Sequence, residues 1–454
     1  MLNKKDAKEL IAMAIGFSSA EQIEVIIHSF DSALTRFANN YIHQNVYEAN
    51  TTISVRVIFG KRIGTASTNS LALKNIKETI RCAERMAKFQ TENPQFVSLI
   101  KTDPKKYRQE IPSVKSFEQI SPDKRAEAVR QIVEIAKEKN LLAYGSVSNG
   151  LSVIVIGNSL GTFAYHRSTD VFCNIVMSGK NSSGYAQSGA KDFDEINFVK
   201  LARIAADKAI RSQDPIEIKP GPYTTIFEPL AVSDFLDYLS AYTFNGKLFE
   251  EGRSYFCDKL GTKVVDERIT ITDDPFCRKG FPLPFDFEGV PKKKLVLIER
   301  GIARNVVYDS LTATALGKKT TGHALAYPNP YGPMPLHLVM EGGDITFNDM
   351  VSTTKQGILV TRLHYTNVID PHKITLTGMT RDGTFLIEGG VITRGIKNLR
   401  FTENLFEALN RVEAISKRQE LVAHEPGYSG RLGSGTITPA IKINDFTFTS
   451  ATEF

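Results

Sequence analysis

Eight histidines and four cysteines are the side chains of this 454-residue chain best suited to hold a metal or act as a nucleophile. His364 and His372 flank Tyr-Thr-Asn-Val-Ile-Asp-Pro, so together with Asp370 they would share a metal if the intervening loop folded back. His323 and His337 lie in the preceding segment and would join that set. The plain alternative is four surface or core histidines. His424-Glu425 opens like the helical motif of a metallopeptidase. Pro426 and Gly427 follow at once, so no helical turn presents a second ligand, and no later histidine exists. Other chemistries leave no trace. There is no GxSxG and no GxxxxGK[ST]. Cys257 is followed by Asp258-Lys259 and reads as a free thiol. Gly433-Ser-Gly435 lacks the spacing of a phosphate loop and reads as a flexible turn.

The elements that must position these residues change in kind near the middle of the chain. In the first half, helices are expected over 6–15, 70–90, 122–139 and 195–211, the third with Ser121 as cap and Pro122 at its first position. Between them lie strand-like segments: 22–30, 33–44, 53–59, and a meander of four short pieces from Leu141 to Gly179. Residues 91–116 read as a loop. Ser212–Pro222 is dense in Pro and charge and marks a boundary. After it come strand 223–227, a helix within 228–246, and a long series of strand-like pieces, with one more helix expected over 403–415 and a last strand over 440–447. The stiff segment from Tyr327 to Pro335, with Tyr331 at its centre, has four prolines in nine residues and would line a groove or an interface. The expected class is α+β, an N-terminal mixed domain over 1–215 and a β-rich C-terminal domain over 216–454.

Composition narrows the function classes. Apolar content of 42% and charged content of 23% suit a water-soluble globular protein. A net charge of +6 is mild for this length, and Lys292–Lys294 is the one run of three basic residues, so nucleic acid is not an expected partner. The cysteines (Cys82, Cys173, Cys257 and Cys277) form no CxxC and fit a reducing compartment. The apolar stretch 10–17 is too short for a signal peptide core, and no run approaches a membrane span, so the cytoplasm is expected and no membrane partner.

Several phrases, in order, resemble the TldD/PmbA family, often called modulators of DNA gyrase. They are Thr35–Gln44, Asn158-Ser-Leu-Gly161, Thr320-Thr-Gly-His-Ala324, Gly357–Leu363, Asp382–Val391 and Thr438–Phe446. The resemblance implies a β-rich C-terminal domain and a dimer enclosing a cavity. In the family's catalytic branch it implies a zinc peptidase, with HExxxH on a helix and a C-terminal cysteine as third ligand. Here the corresponding helix reads Glu228–Gly246, and alignment places Asp237, Tyr238 and Tyr242 at the motif's His, Glu and His. The cysteine's region falls near Tyr428-Ser-Gly-Arg431, and no cysteine follows Cys277. The resemblance is therefore closest to the metal-free, PmbA/TldE-like branch. It implies no catalytic residue and no cofactor in this chain, zinc only in a TldD-like partner subunit, and a flexible peptide as substrate. Two alternatives stand beside it. One is a hydrolase with its own metal site built from His323, His337, His364 and His372. The other is a non-enzymatic homodimeric binding protein. Nothing in the residues speaks for contact with gyrase itself.

Overall fold

Long antiparallel strands dominate the first half. The structure, a computed structural model, describes residues 2–108, 120–427 and 430–452. The end of the expected 91–116 loop, from 109 on, and Tyr428 lie outside them. Six strands form the N-terminal sheet: β1 (Gln22–Ala38), β2 (Tyr41–Phe59), β3 (Arg62–Thr68), β4 (Leu142–Asn158), β5 (Phe163–Ser178) and β6 (Ser183–Ala190), in the order β3-β2-β1-β4-β5-β6. Helices α1 (Lys4–Gly16), α2 (Leu73–Phe89), α3 (Pro122–Glu138) and α4 (Phe198–Arg211) cover one face. Side chains alternate along a strand, so β4 sends Ala143, Val147, Val153 and Val155 to the helices, while Ile154 and Ile156 meet Leu283 and Phe285 from the second half. With both faces covered, β4 is buried along nearly its whole length.

The strands are longer than the sequence suggests. Segments expected as 22–30 and 33–44 are a single strand as far as Ala38, where Asn39 and Asn40, both at positive φ, turn the chain into β2. Polar Asp31 and Ser32 interrupt the apolar pattern but not the pairing, because β2 and β4 hold β1 from both sides. Likewise β4 runs straight through Asn149-Gly150, which reads as a break in the sequence.

The second half contains an eleven-stranded sheet. Its elements in chain order are β7 (Gly221–Phe227), α5 (Pro229–Tyr242), α6 (Gly246–Glu250), β8 (Ile271–Asp273), β9 (Leu295–Glu299), β10 (Ile302–Ala303), α7 (Ser310–Ala315), β11 (Leu338–Met340), α8 (Phe347–Ser352), β12 (Gln356–Asp370), β13 (Thr375–Glu388), β14 (Val391–Gly395), β15 (Leu399–Asn404), α9 (Leu405–Asn410), β16 (Val412–Ala423) and β17 (Gly435–Ala451). Five of these strands, β17, β15, β13, β12 and β7, close on themselves, because β7 pairs with both β12 and β17. The helix expected over 403–415 shrinks to α9. Val412 and Ile415 instead enter β16 and pair with Ile443 and Ile441 of β17. A short apolar run fits either period, and the neighbouring strand decided this one.

The loop joining β16 to β17 reaches back to the N-terminal sheet. Its Arg431 side chain lies across Gly150 of β4, where an added Cβ would sit 1.8 Å from Nε. The guanidinium donates to both carboxylate oxygens of Asp170, at 3.0 and 2.6 Å, and to Ser32 Oγ at 3.1 Å. The Arg431 carbonyl accepts from His28 Nε2 at 3.0 Å and from the Ser152 hydroxyl. Arg431 and Asp170 are 2% and 5% exposed. Removing one partner of such a pair strands the other charge out of water. Arg431→Met is therefore expected to lower the unfolding free energy by about 3–5 kcal/mol. A shift of the urea midpoint corresponding to less than ~1 kcal/mol would contradict a structural role for the pair.

Candidate active-site region around helix α5

Helix α5 has two faces with different tasks. Pro229 opens it, and its buried stripe of Val232, Phe235, Leu236 and Leu239 packs into the core. Phe235 meets Phe227 of β7 edge-on at 5.2 Å. Ser233 lies inside the helix; Glu228 takes the cap position and Gly246 starts α6. Residues 234, 237, 238, 241 and 242 follow the i, i+3, i+4 spacing of the other face. They form one wall of a cleft of about 420 Å³, opposite Leu363–Thr366 of β12.

Two carboxylates and an aromatic pair furnish that cleft. Tyr238 and Tyr242 stack at 6.2 Å with planes 16° apart. The Tyr238 hydroxyl donates to the Thr366 carbonyl. Burial raises the Tyr238 phenol above its ordinary range, with Asp234, Tyr242 and Asp237 adding to the effect, so it stays protonated at neutral pH. Asp237 accepts from Thr436 Oγ1 at 3.3 Å and faces His424 Nε2 at 3.4 Å. Asp234, one turn earlier, lies 3.5 Å from Thr366 Oγ1. Burial pushes Asp234 up to about 7 and Asp237 adds to the rise, while Arg362, Thr366 and His424 hold it back. For His424, burial acts to lower the imidazole, but its bond to Asp237 and the charges of Asp237 and Asp234 prevail and raise it.

Two further hollows adjoin the cleft. One, of about 220 Å³, lies between α5, Arg362 and the His424-Glu425 start of the β16–β17 loop. The other is a groove of about 940 Å³ between the β5–β6 turn and β13, sharing His364 and Tyr365 with the cleft. A bulge in β12 after His364 leaves Tyr365 at φ 51° and 72% exposed. Such bulges re-aim a side chain, here to the junction of cleft and groove.

The histidines singled out in the sequence occupy three places. His323 and His337 converge on buried Asp273: His323 Nε2 lies 3.0 Å from Oδ2, and the His337 backbone N–H donates to Oδ1 at 2.7 Å. Lys292 Nζ stands 3.6 Å from the same carboxylate. Burial would raise Asp273, but Lys292 and the two imidazoles hold it well below the usual carboxylate range. Burial and Lys292 lower both histidines, His337 to about 3, so they are neutral at physiological pH. His364 lines the α5 cleft. Asp370 caps the β12–β13 turn, accepting from the backbone N–H groups of exposed His372 and of Lys373. Tyr331, 71% exposed, lines a separate cleft beside the end of α5 with Lys247 and Met334. Among the described residues, no group of three or more His, Cys, Asp or Glu side chains is placed to hold a metal ion.

Sequence reasoning missed Asp234 and His424 as members of the site. Asp234 precedes Asp237 by one turn, which was a readable signal. His424 is brought in by tertiary folding, with no local signal beyond the His-Glu pair.

Three parts of the chain match models of a single family. Residues 23–87 match PmbA/TldA metallopeptidase domain 1, residues 115–213 its central domain, and residues 220–450 its C-terminal domain. A metalloprotease of Methanocaldococcus jannaschii is 26% identical over 84% of this chain and 86% of its own length. Metalloprotease PmbA of Escherichia coli O157:H7 is 22% identical over 89% of each. Among solved structures, TldE from Thermococcus kodakarensis superposes with a TM-score of 0.88 at 24% identity, covering 98% of this chain and 99% of that one. A putative modulator of a DNA gyrase from Thermotoga maritima gives 0.84 at 18%, covering 98% and 100%.

The ionisation of Asp234 has a consequence for stability. A carboxyl raised in the folded state costs the fold nothing while protonated and progressively more as pH climbs from its unfolded value near 4 to its folded value. Asp234→Asn is therefore expected to stabilise the protein by about 1–4 kcal/mol above pH 7 and by nothing measurable near pH 4. Denaturant melts at the two pH values read this directly, and an equal effect at both would contradict the burial of that charge.

Proposed function

Because this chain belongs to the PmbA/TldD family, we propose that it is the metal-motif-lacking subunit of a two-component cytoplasmic metallopeptidase acting on flexible peptides. One observation carries the reading: the cleft-facing side of α5 offers Asp237, Tyr238 and Tyr242 where the family resemblance implies His, Glu and His. Those residues do not fit a zinc centre. Zinc in such sites takes neutral imidazoles and thiolate around an open position for water. Here the donors are one carboxylate, already engaged by His424 and Thr436, and two phenols, of which Tyr238 is held protonated. No cysteine follows Cys277, so the β16–β17 loop brings no thiolate.

On this reading zinc and the general base belong to an HExxxH-bearing partner, and this chain supplies part of the cavity wall. The cleft between α5 and β12 is the surface it would offer to a peptide, with Tyr238, Tyr242 and Tyr365 as apolar contacts and polar groups at either side. Aromatic rings with a few placed polar groups are the usual furniture of a ligand cleft.

The test is reconstitution. The purified chain is expected to hold no stoichiometric zinc by elemental analysis and to leave an unstructured peptide intact. Mixed with an HExxxH-bearing relative from the same source, it should form a stable complex and raise peptide cleavage above that of either alone. Full zinc occupancy together with turnover by this chain alone would overturn the proposal.

A further inference from the structure

Strand β3 covers only part of its neighbour. It pairs with Ile53–Phe59 of β2 and then leaves the sheet at Thr68 for helix α2. The rest of β2, from Tyr41 to Thr52, pairs with β1 on its inner side. Among the described residues no strand pairs with its outer side. That stretch is roughly 40 Å of open sheet edge.

Open edges are normally protected by Lys, Pro or inward-turned charge, because their unpaired N–H and C=O groups will join any strand that arrives. Between Tyr41 and Thr52 there is no Lys, Arg or Pro, and Glu48 is the one acidic residue. Tyr41, Ile42, Val46 and Tyr47 all stand exposed along it. The one irregularity, a register shift beside His43, lies at the turn end.

The edge is also complementary to itself. Two copies of one edge pair antiparallel about a two-fold axis perpendicular to the sheet. The open run from Tyr41 to Thr51 is centred on Val46, so an axis there gives the longest overlap before one edge meets the other copy's β3. Val46 then faces its own counterpart, and Gln44 faces Glu48 of the partner subunit, once on each side of the axis. Gln44, Val46 and Glu48 share one face of the strand, opposite Arg36, Leu34 and Ser32 of β1. The Gln44 amide oxygen lies 3.5 Å from Arg36 Nη1, which leaves its amide N–H groups to donate to the facing carboxylate. The two carboxylates do not oppose each other. A bound peptide would cover one such edge, whereas a second copy covers two at once.

We propose that the outer edge of β2 pairs with the same edge of a second copy of this chain, antiparallel about Val46, so that the two N-terminal sheets join into one. The inference goes beyond the peptide-handling reading and needs neither zinc nor peptide.

Sedimentation velocity of the full chain alone, across a micromolar concentration series, tests it. A reversible dimer is expected. Val46→Lys, which sets two like charges on the axis, should raise the dimer dissociation constant at least about tenfold. Gln44→Glu should weaken the dimer, and Gln44→Glu combined with Glu48→Gln should restore it, because the exchange again sets one carboxylate against one amide. Val46→Cys should give a covalent dimer on oxidation, absent from the unaltered chain. Glu48→Cys should not, since only a residue on the axis comes within disulfide reach of its counterpart. A chain that stays monomeric throughout would overturn the proposal. So would a dimer that Val46→Lys leaves as tight as before, or equal cross-linking through Val46→Cys and Glu48→Cys. Should Val46→Lys fail to fold, the cross-linking pair still decides. Failure here leaves the peptide reading standing, because every sample lacks both peptide and the HExxxH-bearing relative.

Discussion

The buried pair of Arg431 and Asp170 is the contact on which the site geometry depends. It ties the β16–β17 loop, which belongs to the C-terminal sheet, into the middle of the N-terminal one. Gly150 makes room for it, since any Cβ there would overlap the arginine. Ser32, Ser148 and Ser152 complete the socket, so the guanidinium and the adjoining carbonyl are satisfied rather than merely buried. At its base the same loop is held by the hairpin itself, where the His424 N–H donates to the Ser434 carbonyl at 2.9 Å. Fixed at both places, the loop holds His424 against Asp237. Gly433, which reads as a flexible turn residue, is packed against Phe281 and Asp170 instead.

Other joints between the two halves bear on the same region. Ser183 of β6 donates to Asp382 at 2.6 Å, and Asp382 in turn holds Arg362, whose guanidinium lies 4.3 Å above the Tyr185 ring. Gln187 donates to the carbonyl of Ala423, the residue before His424. Edge strand β6 thus supplies one rim of the site. The small cavity and the large groove are consequently composite hollows, lined by side chains from both halves.

The sequence made helix α5 legible because its apolar residues recur with helical spacing, and Asp237 could be placed off the buried stripe from that spacing alone. The α+β class was legible for a similar reason: helices with clear stripes precede the boundary, and strand-like pieces crowd after it. Strand lengths were not. Asp31-Ser32 and Asn149-Gly150 look like turns because their residue types favour turns, yet each lies in a strand paired on both sides. Pairing partners more than a hundred residues away leave no local mark. The same limit hid the site. Asp237 and His424 meet only through the packing of α5 against the β16–β17 hairpin, and the histidine set read as one potential metal site is divided among Asp273, the cleft wall and a hairpin turn.

A helix face that lacks a metal motif need not become inert. Metal-binding imidazoles are neutral donors, whereas Asp237 is a carboxylate and Asp234 becomes one only as pH rises past about 7. Two carboxylates one turn apart on a half-buried face are poorly solvated and repel each other, which is why Asp234 is raised towards neutrality. The chain answers part of that imbalance itself through His424, whose raised affinity for a proton is the reciprocal of its contact with Asp237. Asp234 feels His424 only through its charge, and its own hydrogen-bond contact is with Thr366.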